Sequence, residues 1–286
     1  MIIPCAIEWN PVIDLFSIGA LRVRYYSLWW LIGLAAAYFI LQHLYKRQGL
    51  SGQNFEKLII YGFIGIVAGA RLGHCLFYEP GYFLAHPLEI ILPFGTDANG
   101  NYTFTGYLGL ASHGGTIGLM IALWLYSRKT HIDMWQTLDN IAIATPIAAC
   151  CIRIGNFWNS EIIGCATNSD WGIIFSQVDN IPRHPAQLYE AIAYLLIFIG
   201  GYLLYKYKGK ELHRGFFFGY CLTTIFAFRF VVEFVKENQE LFEETMLFNM
   251  GQLLSIPFII LGLICLLYKG IGKINLTGTP AKPHKK

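Results

Sequence analysis

Charged residues are scarce in this chain of 286 residues: they make up 14% of it, whereas hydrophobic residues make up 55%. Soluble domains carry about 25% charged residues, so the composition argues against an ordinary soluble protein and favours lipid as the solvent. Aromatic residues reach 16%, and such rings collect at membrane interfaces. The formal net charge of +3 says little by itself about partners, and no nucleic acid is expected among them.

Metal-binding cysteine patterns and internal repeats are also missing. The seven cysteines form no CxxC pair and no Cys/His spacing typical of a metal site, so we expect no metal and no cofactor. Most of them lie in apolar runs, where cysteine behaves as a small hydrophobic residue. Whether Cys5 and Cys165 pair stays open. The lack of a detectable repeat argues against a transporter.

The first eleven residues lack the basic residues and the apolar run of a signal peptide. The first apolar run is therefore expected to be an uncleaved anchor. A bilayer core of roughly 30 Å needs about 20 apolar residues in a helix. We predict an all-α polytopic membrane protein with about seven transmembrane helices, at residues 26–45, 58–78, 110–126, 134–152, 188–205, 215–235 and 250–268.

Lysine and arginine are distributed unevenly between the segments that join these spans. With the N-terminus outside, the inside segments hold Lys46, Arg47, Lys57, Arg128, Lys129, Lys206, Lys208, Lys210, Arg214, Lys269, Lys273, Lys282, Lys285 and Lys286. The outside segments hold only Arg22, Arg24, Arg153, Arg183 and Lys236. This bias predicts an N-terminus outside and a C-terminus in the cytoplasm, because cytoplasmic loops are enriched in Lys and Arg.

The three long connections, residues 79–109, 153–187 and 236–249, all lie outside in this topology. We therefore expect a small extracytoplasmic loop subdomain and an active site that faces the same side. We interpret residues 1–273 as a single transmembrane catalytic domain and residues 274–286 as a basic, disordered cytoplasmic tail.

The first of these connections has two local features. Its apolar stretch at residues 86–94 could lie in the membrane interface. Asn99 and Gly100 are typical of a hairpin turn and precede an alternating segment that begins at Tyr102.

Three arginines lie at membrane depth or at its edge. Arg71 and Arg229 fall inside predicted spans, and Arg153 lies at the outer end of the fourth span. An arginine at a helix centre costs about 2.5–3.5 kcal/mol on insertion scales, so function is a reasonable explanation. Its planar fork matches phosphate oxygens, and three such groups in one cavity would bind a phosphate head group. Alternatively, each pairs with a carboxylate or carbonyl, and Glu233 is available to Arg229 one turn away.

Residues 153–164 form the densest polar cluster near a membrane boundary: Arg153, Asn156, Asn159 and Glu161 alternate with apolar residues and glycines, and Gly164 closes the segment. Two further places combine polar groups with a helix start. His113 precedes two glycines, and histidine can move protons near neutral pH. Glu190 enters the fifth span, where an acid favourable to the helix dipole is the simpler explanation.

These motifs resemble the prolipoprotein diacylglyceryl transferase family. Its signature is Gly-Arg-x-Gly-Asn-Phe-x-Asn-x-Glu-x-x-Gly, and this chain matches it from Arg153 onward, with Ile152 where glycine is usual. Ser160 stands where the family often has glycine, which affects local backbone more than chemistry. The other blocks that match are His113 to Gly115, residues 183–190, Arg229 with Glu233, and Tyr26 at the first span.

The resemblance implies a defined reaction in the bacterial cytoplasmic (inner) membrane, the first step of lipoprotein maturation. A diacylglyceryl group moves from phosphatidylglycerol to the lipobox cysteine of a prolipoprotein signal peptide, a thioether forms, and glycerol phosphate leaves. His113 is then the candidate base, although an orienting role stays open, and Arg153 and Arg229 are the candidate phosphate ligands. Candidate lipid-binding residues are Tyr26, Arg71, Asn156, Asn159, Glu161, Gly164, Glu190 and Glu233.

Other classes fit the sequence less well. An intramembrane protease would need Ser/His, paired Asp or HExxH in its spans, and none is visible. A receptor or scaffold would not explain three arginines at membrane level together with a polar signature.

Overall fold

A computed structural model describes residues 7–18, 21–92, 94–96, 102–104, 109–237, 246 and 248–268. The α-helices in this part of the chain are Tyr25–Arg47 (α1), Gly52–Phe77 (α2), Pro80–Ala85 (α3), Leu88–Ile91 (α4), Ser112–Thr130 (α5), Met134–Trp158 (α6), Ala186–Lys208 (α7), Phe216–Val232 (α8) and Met250–Leu267 (α9). The β-strands are Ile7–Trp9 (β1), Asp14–Ile18 (β2), Leu21–Arg24 (β3), Phe94–Thr96 (β4), Tyr102–Phe104 (β5), Ile173–Phe175 (β6) and Pro182–Arg183 (β7). Cys5 and the tail at 274–286 lie outside the described residues.

Six helices are long and apolar enough to cross a membrane, which supports the prediction of a polytopic membrane protein. They are Tyr25–Arg47, Gly52–Phe77, Met134–Trp158, Ala186–Lys208, Phe216–Val235 and Met250–Leu267. Each coincides with a predicted span. The remaining predicted span, residues 110–126, corresponds to α5, which is helical over 19 residues but is not one of these six. Polar residues at both of its ends, such as His113 and Arg128, shorten its apolar stretch.

The chain divides into two compact units: Met1–Leu44 with Leu138–Leu276, and Tyr45–Thr137 with Thr277–Lys286. We call them the first and second unit and describe each by itself.

In the second unit, α2 and α5 pack through glycines. A Cβ atom on Gly69 or Gly73 would overlap the backbone of Gly114, and one on Gly65 would overlap that of Gly118. Small residues spaced by four let membrane helices approach closely, so this stripe forms the contact between the two helices.

The connection from α2 to α5 contains α3, α4 and a hairpin. β4 and β5 pair antiparallel, with Phe94 opposite Phe104, which confirms the predicted hairpin. Its turn at residues 97–101 lies outside the described part of the chain. Leu88 and Ile91 of α4 are exposed.

In the first unit, α7, α8 and α9 pack in succession, and α1 packs on α6. A Cβ atom on Gly33 of α1 would overlap the Cβ of Cys151 in α6, so glycine sets this close approach. Asp139 of α6 accepts hydrogen bonds from the backbone N–H of Gly215 and Phe218. Asp139 thus caps the start of α8, a structural role.

The segment between α6 and α7 folds onto the N-terminal strand. β6 pairs parallel with β1 and antiparallel with β7, which gives a three-stranded sheet. A small core supports it, and Trp9 of β1 packs against that core and donates from its indole N–H to the carbonyl of Phe157. The sheet fixes the loop that lies beside the signature segment.

Candidate active site

The signature segment, residues 153–164, runs from the last turns of α6 into an irregular turn. Ser160 and Ile162 both have a φ of 55°, in the left-handed region that favours glycine. The family resemblance marks position 160 as often glycine, and this backbone angle gives the physical reason. A β-branched residue such as Ile162 is an outlier in that region. The turn therefore stores backbone strain, which is common at ligand-binding sites.

The turn is held together by the Glu161 carboxylate. Its oxygens accept from Asn156 Nδ2 at 3.1 Å and from Asn159 Nδ2 at 3.0 Å. The amide of Gln187, in the first turn of α7, donates to the backbone carbonyl of Glu161 at 2.5 Å. The structure thus brings three predicted site residues into one network and adds Gln187, which the sequence analysis did not single out.

A second network surrounds Glu190, which is fully buried. Arg153 Nε lies 3.1 Å from Glu190 Oε2, and Lys236 Nζ lies 3.1 Å from Oε1. Tyr194, one turn further along α7, donates its hydroxyl to Oε1 at 3.2 Å. A carboxylate removed from water is very costly unless it is paired, so the two cations explain how Glu190 is tolerated. Pairing, more than the helix dipole, therefore accounts for its position.

The Arg153–Glu190 contact is an ion pair rather than an aligned hydrogen bond. Glu190 Oε2 is close to the guanidinium, yet no N–H points at it with hydrogen-bond geometry. Beyond Glu190 and the hydroxyl of Tyr194, the described residues give Arg153 no further partner. The guanidinium is thus held in place while donors remain for a ligand.

The suggested pairing of Arg229 with Glu233 is wrong. Glu233 Oε2 instead lies 3.2 Å from Lys236 Nζ. α8 ends at Val232, and residues 233–235 form a 3-10 turn. Three residues per turn bring positions three apart to the same side, which favours Lys236 over a partner four residues back. Arg229 has no hydrogen-bond or ion-pair partner among the described residues, and its Nε atom is buried.

Gly164, at the end of the signature, is where three segments cross. Its N–H donates to the carbonyl of His184 at 2.9 Å, and it forms an isolated bridge with Lys236. A Cβ atom here would overlap the carbonyl oxygens of His184 and Val235. Glycine at this position thus allows the backbone next to Lys236 to approach, which explains its place in the signature.

Arg183, in the loop before α7, binds to the same place where these segments meet. It lies 2.5 Å from Asp179 and 3.0 Å from Glu237, and it donates to the carbonyl of Gly164. The hydrogen bonds from Arg183 hold the pKa of the Asp179 carboxyl below its usual range, and Asp179 raises the pKa of Arg183 in return. Charge therefore ties the loop before α7 to the segment after α8.

Tyr26 lies at the start of α1 in the same unit. A Cβ atom on Gly155 would stand 3.0 Å from the Tyr26 ring, so the ring packs against the backbone of the signature segment. The Tyr26 hydroxyl accepts from the indole of Trp30 at 3.0 Å.

Arg71 and His113 belong to the second unit. Arg71 is buried and donates to the carbonyls of Glu89 at 2.6 Å, Ile90 at 3.2 Å and Gly109 at 3.4 Å, with the Phe83 ring 4.8 Å away. These contacts favour the alternative of carbonyl pairing, in which Arg71 organises the connection before α5.

His113 lies in the first turn of α5 with its side chain exposed. The glycine that follows it, Gly114, is used in packing against α2. The close approach expected at this glycine is therefore made by the backbone of α2 and not by a ligand. The exposed imidazole has no hydrogen-bond partner among the residues that the structure describes, so it remains accessible for proton transfer.

Sequence reasoning missed Lys236, Gln187 and Tyr194. In the sequence, Lys236 stands out only as a positive charge in an outside segment. The other two carried a usable signal, because Gln187, Glu190 and Tyr194 are spaced by three and four and share one face of α7. The described residues contain no cluster of three or more His, Cys, Asp or Glu that could hold a metal ion.

Comparison with known proteins gives one consistent family. The family model described as prolipoprotein diacylglyceryl transferase matches residues 13–268. A phosphatidylglycerol–prolipoprotein diacylglyceryl transferase of Bacteroides fragilis is 54% identical over 265 residues, which is 93% of this chain and 96% of the relative. The protein of that name in Tolumonas auensis is 41% identical, over 91% of this chain and 96% of its own. That of Porphyromonas gingivalis is 39% identical, over 92% and 94%.

Proposed function

The chain belongs to the prolipoprotein diacylglyceryl transferase family, and we propose that the buried charges around Glu190 bind the phosphate of its lipid substrate. The protein is a transferase that moves the diacylglyceryl group of phosphatidylglycerol to a prolipoprotein. The acceptor is the thiol of the lipobox cysteine in the signal peptide. Its sulfur bonds to the glycerol carbon, the bond from that carbon to the phosphate oxygen breaks, and glycerol phosphate leaves.

The charge balance around Glu190 supports this role. Arg153 and Lys236 contact Glu190, and Lys236 also contacts Glu233, so two cations are matched by two carboxylates within the network. Arg229 adds a cation without a partner in the described residues, which makes the total for these five groups one positive charge. A phosphodiester carries one negative charge. The set is thus suited to a single lipid phosphate, and Arg153, with its unused donors, is the group to contact it.

The same cations promote bond cleavage. Negative charge grows on the departing phosphate as the carbon–oxygen bond breaks, and positioned guanidinium groups stabilise it in a site of low dielectric constant. Glu190 and Lys236 act as positioning residues: Glu190 holds Arg153, and Lys236 holds both carboxylates. Asn156, Asn159, Glu161 and Gly164 keep the neighbouring turn in shape, and Tyr26 packs on it.

His113, which lies in the second unit, is the proposed base. The attacking species is a thiolate, and a free thiol has a pKa near 8.5, so a proton acceptor helps at neutral pH. His113 is exposed at a helix start and has no partner in the described residues that would occupy its ring nitrogens.

We further propose a topology of seven spans with the N-terminus outside and the active site on the extracytoplasmic side of the inner membrane. α5 is about 28 Å long at 1.5 Å per residue, close to the thickness of a bilayer core. Its last turn contains Arg128 and Lys129, as expected of a cytoplasmic end. If α5 is a span, connecting segments rich in Lys and Arg also alternate with segments poor in them along the chain.

The test is transfer of radiolabelled lipid from phosphatidylglycerol vesicles to a lipobox peptide by the purified protein. Arg153→Lys keeps the charge but loses the fork, and should lower the rate by at least about tenfold, or about 1.4 kcal/mol. Arg128→Lys is the matched control at an exposed site and should keep the rate. Full activity of Arg153→Lys would remove this residue from the phosphate site.

A further inference from the structure

Two residues of the turn after α6 and one residue in the first turn of α7 have buried side-chain oxygen atoms that lack hydrogen-bond partners among the described residues. They are Asn159 Oδ1, Ser160 Oγ and Gln187 Oε1. Gln187 is fully buried, and Ser160 is 7% exposed. Most buried polar atoms in proteins are paired, so three unpaired ones on residues that adjoin Glu161 call for an explanation. We call these three atoms the acceptor turn.

The orientation of both amides follows from their partners. Asn159 Nδ2 donates to the Glu161 carboxylate, and Gln187 Nε2 donates to the Glu161 carbonyl. A carboxylate and a carbonyl only accept hydrogen bonds, so each amide must direct its nitrogen towards Glu161. Each amide oxygen therefore points away from it. The two amide oxygens of the acceptor turn consequently need a ligand that donates hydrogen bonds, and the Ser160 hydroxyl can accept one as well.

The acceptor turn adjoins the proposed phosphate site. Gln187 precedes Glu190 by three residues in α7, so the two side chains share one face of the helix. Asn159 and Ser160 follow directly on the last turns of α6, which contain Arg153. A group attached to a phosphate at Arg153 would thus lie close to these acceptors.

We propose that the acceptor turn binds the glycerol head group of phosphatidylglycerol and selects this lipid among phosphodiesters of equal charge. This inference rests on the proposed phosphate site. The head group carries two free hydroxyls, and each can donate a hydrogen bond. A lipid without them leaves the acceptors unpaired, and sites built around hydrogen bonds discriminate strongly against such analogues.

The test compares phosphatidylglycerol with phosphatidylethanol of the same acyl chains, since the latter keeps the phosphodiester charge and lacks the hydroxyls. The measured quantity is the ratio of kcat/KM for the two lipids with one lipobox peptide. We expect a preference of at least about tenfold for phosphatidylglycerol in the unsubstituted protein. Gln187→Met keeps the length and loses the acceptor together with the donor to the Glu161 carbonyl, so the ratio should fall towards one.

Ser160→Gly separates selectivity from folding. Glycine, which the family often has here, suits the φ of 55°, so this variant should be more stable. Loss of one of the three oxygens should lower the ratio, but by less than Gln187→Met does. The control is Gln48→Met, at another buried glutamine whose amide pairs with Gln136. It should keep the ratio whatever it does to stability.

Two outcomes overturn the inference: equal use of both lipids by the unsubstituted protein, or a ratio that is unchanged in both Gln187→Met and Ser160→Gly. If Gln187→Met does not fold, Ser160→Gly decides alone. The proposed phosphate site fails separately, through full activity of Arg153→Lys with phosphatidylglycerol.

Discussion

Lys236 Nζ lies 3.1 Å from Glu190 Oε1, and the two side chains are 5% and 0% exposed. Removing one partner of a buried ion pair leaves an uncompensated charge and costs about 3–5 kcal/mol. Lys236→Met should therefore lower the midpoint of thermal unfolding in detergent and the transfer rate, while Lys236→Arg should retain most of both.

Exposed Lys208→Met is the control for this experiment and should change neither quantity. In Lys236→Met, Glu190 keeps its contact with Arg153 but Glu233 loses its cation. Adding Glu233→Gln removes that unpaired carboxylate, so the double variant should be more stable than Lys236→Met alone. If Lys236→Met is as stable and active as the unsubstituted protein, Lys236 does not position Glu190.

Arg229 has no partner in the described part of the chain, so its replacement breaks no ion pair seen there. We expect Arg229→Lys to fold and insert normally and to lose at least about tenfold in rate, or about 1.4 kcal/mol of transition-state stabilisation. Glu233→Gln should do less, because Gln can still accept a hydrogen bond from Lys236. Membrane quantity and transfer rate are measured together; a fully active Arg229→Lys variant, or one that is absent from the membrane, would assign Arg229 a structural role.

Asp179 couples stability to pH through its pair with Arg183. The pKa of Asp179 is lowered in the folded protein, so its contribution is present above the unfolded pKa of about 3.9 and is lost as pH falls through the folded value. Asp179→Asn should therefore be less stable at pH 7, with a difference that shrinks at acid pH. Thermal unfolding from pH 7 down to pH 3 measures this. A difference independent of pH would mean that the ion pair is not its cause.

The spans could be predicted from sequence because a helix that crosses the bilayer core needs a long run of apolar residues, and such runs are visible in the sequence. The signature network was also accessible, since Asn156, Asn159 and Glu161 lie within six residues and can meet in one turn. By contrast, Lys236 meets Glu190 across 46 positions of sequence, and nothing local in the chain indicates that contact.

Two local expectations depended on details that sequence does not contain. The Arg229–Glu233 spacing assumes a continued α-helix, and the 3-10 turn at residues 233–235 redirects Glu233 to Lys236. The sequence allows either a phosphate or a carbonyl partner for Arg71. The carbonyls to which Arg71 donates belong to residues 18 to 38 positions later in the chain. Such partners depend on how the intervening connection folds.

The topology can be tested around α5, the helix on which the count of seven depends. A reporter that is active only outside should work after Gly109 and after Leu241, and fail after Thr130 and after Lys210. The expectation rests on the length of α5 and on the basic residues in its last turn. Equal activity after Gly109 and Thr130 would exclude α5 as a span.

His113 is tested by the pH dependence of transfer. If its imidazole accepts the thiol proton, His113→Gln should lower the rate at pH 7 by about 100-fold, a typical contribution of a general base. The deficit should shrink as pH rises past about 8.5, because the peptide thiol then ionises unaided. Ser112→Ala, in the same exposed turn of α5, is the control and should follow the unsubstituted profile. A uniformly lower rate with an unchanged profile would instead mean that His113 orients a substrate, because loss of an orienting contact lowers the rate equally at every pH.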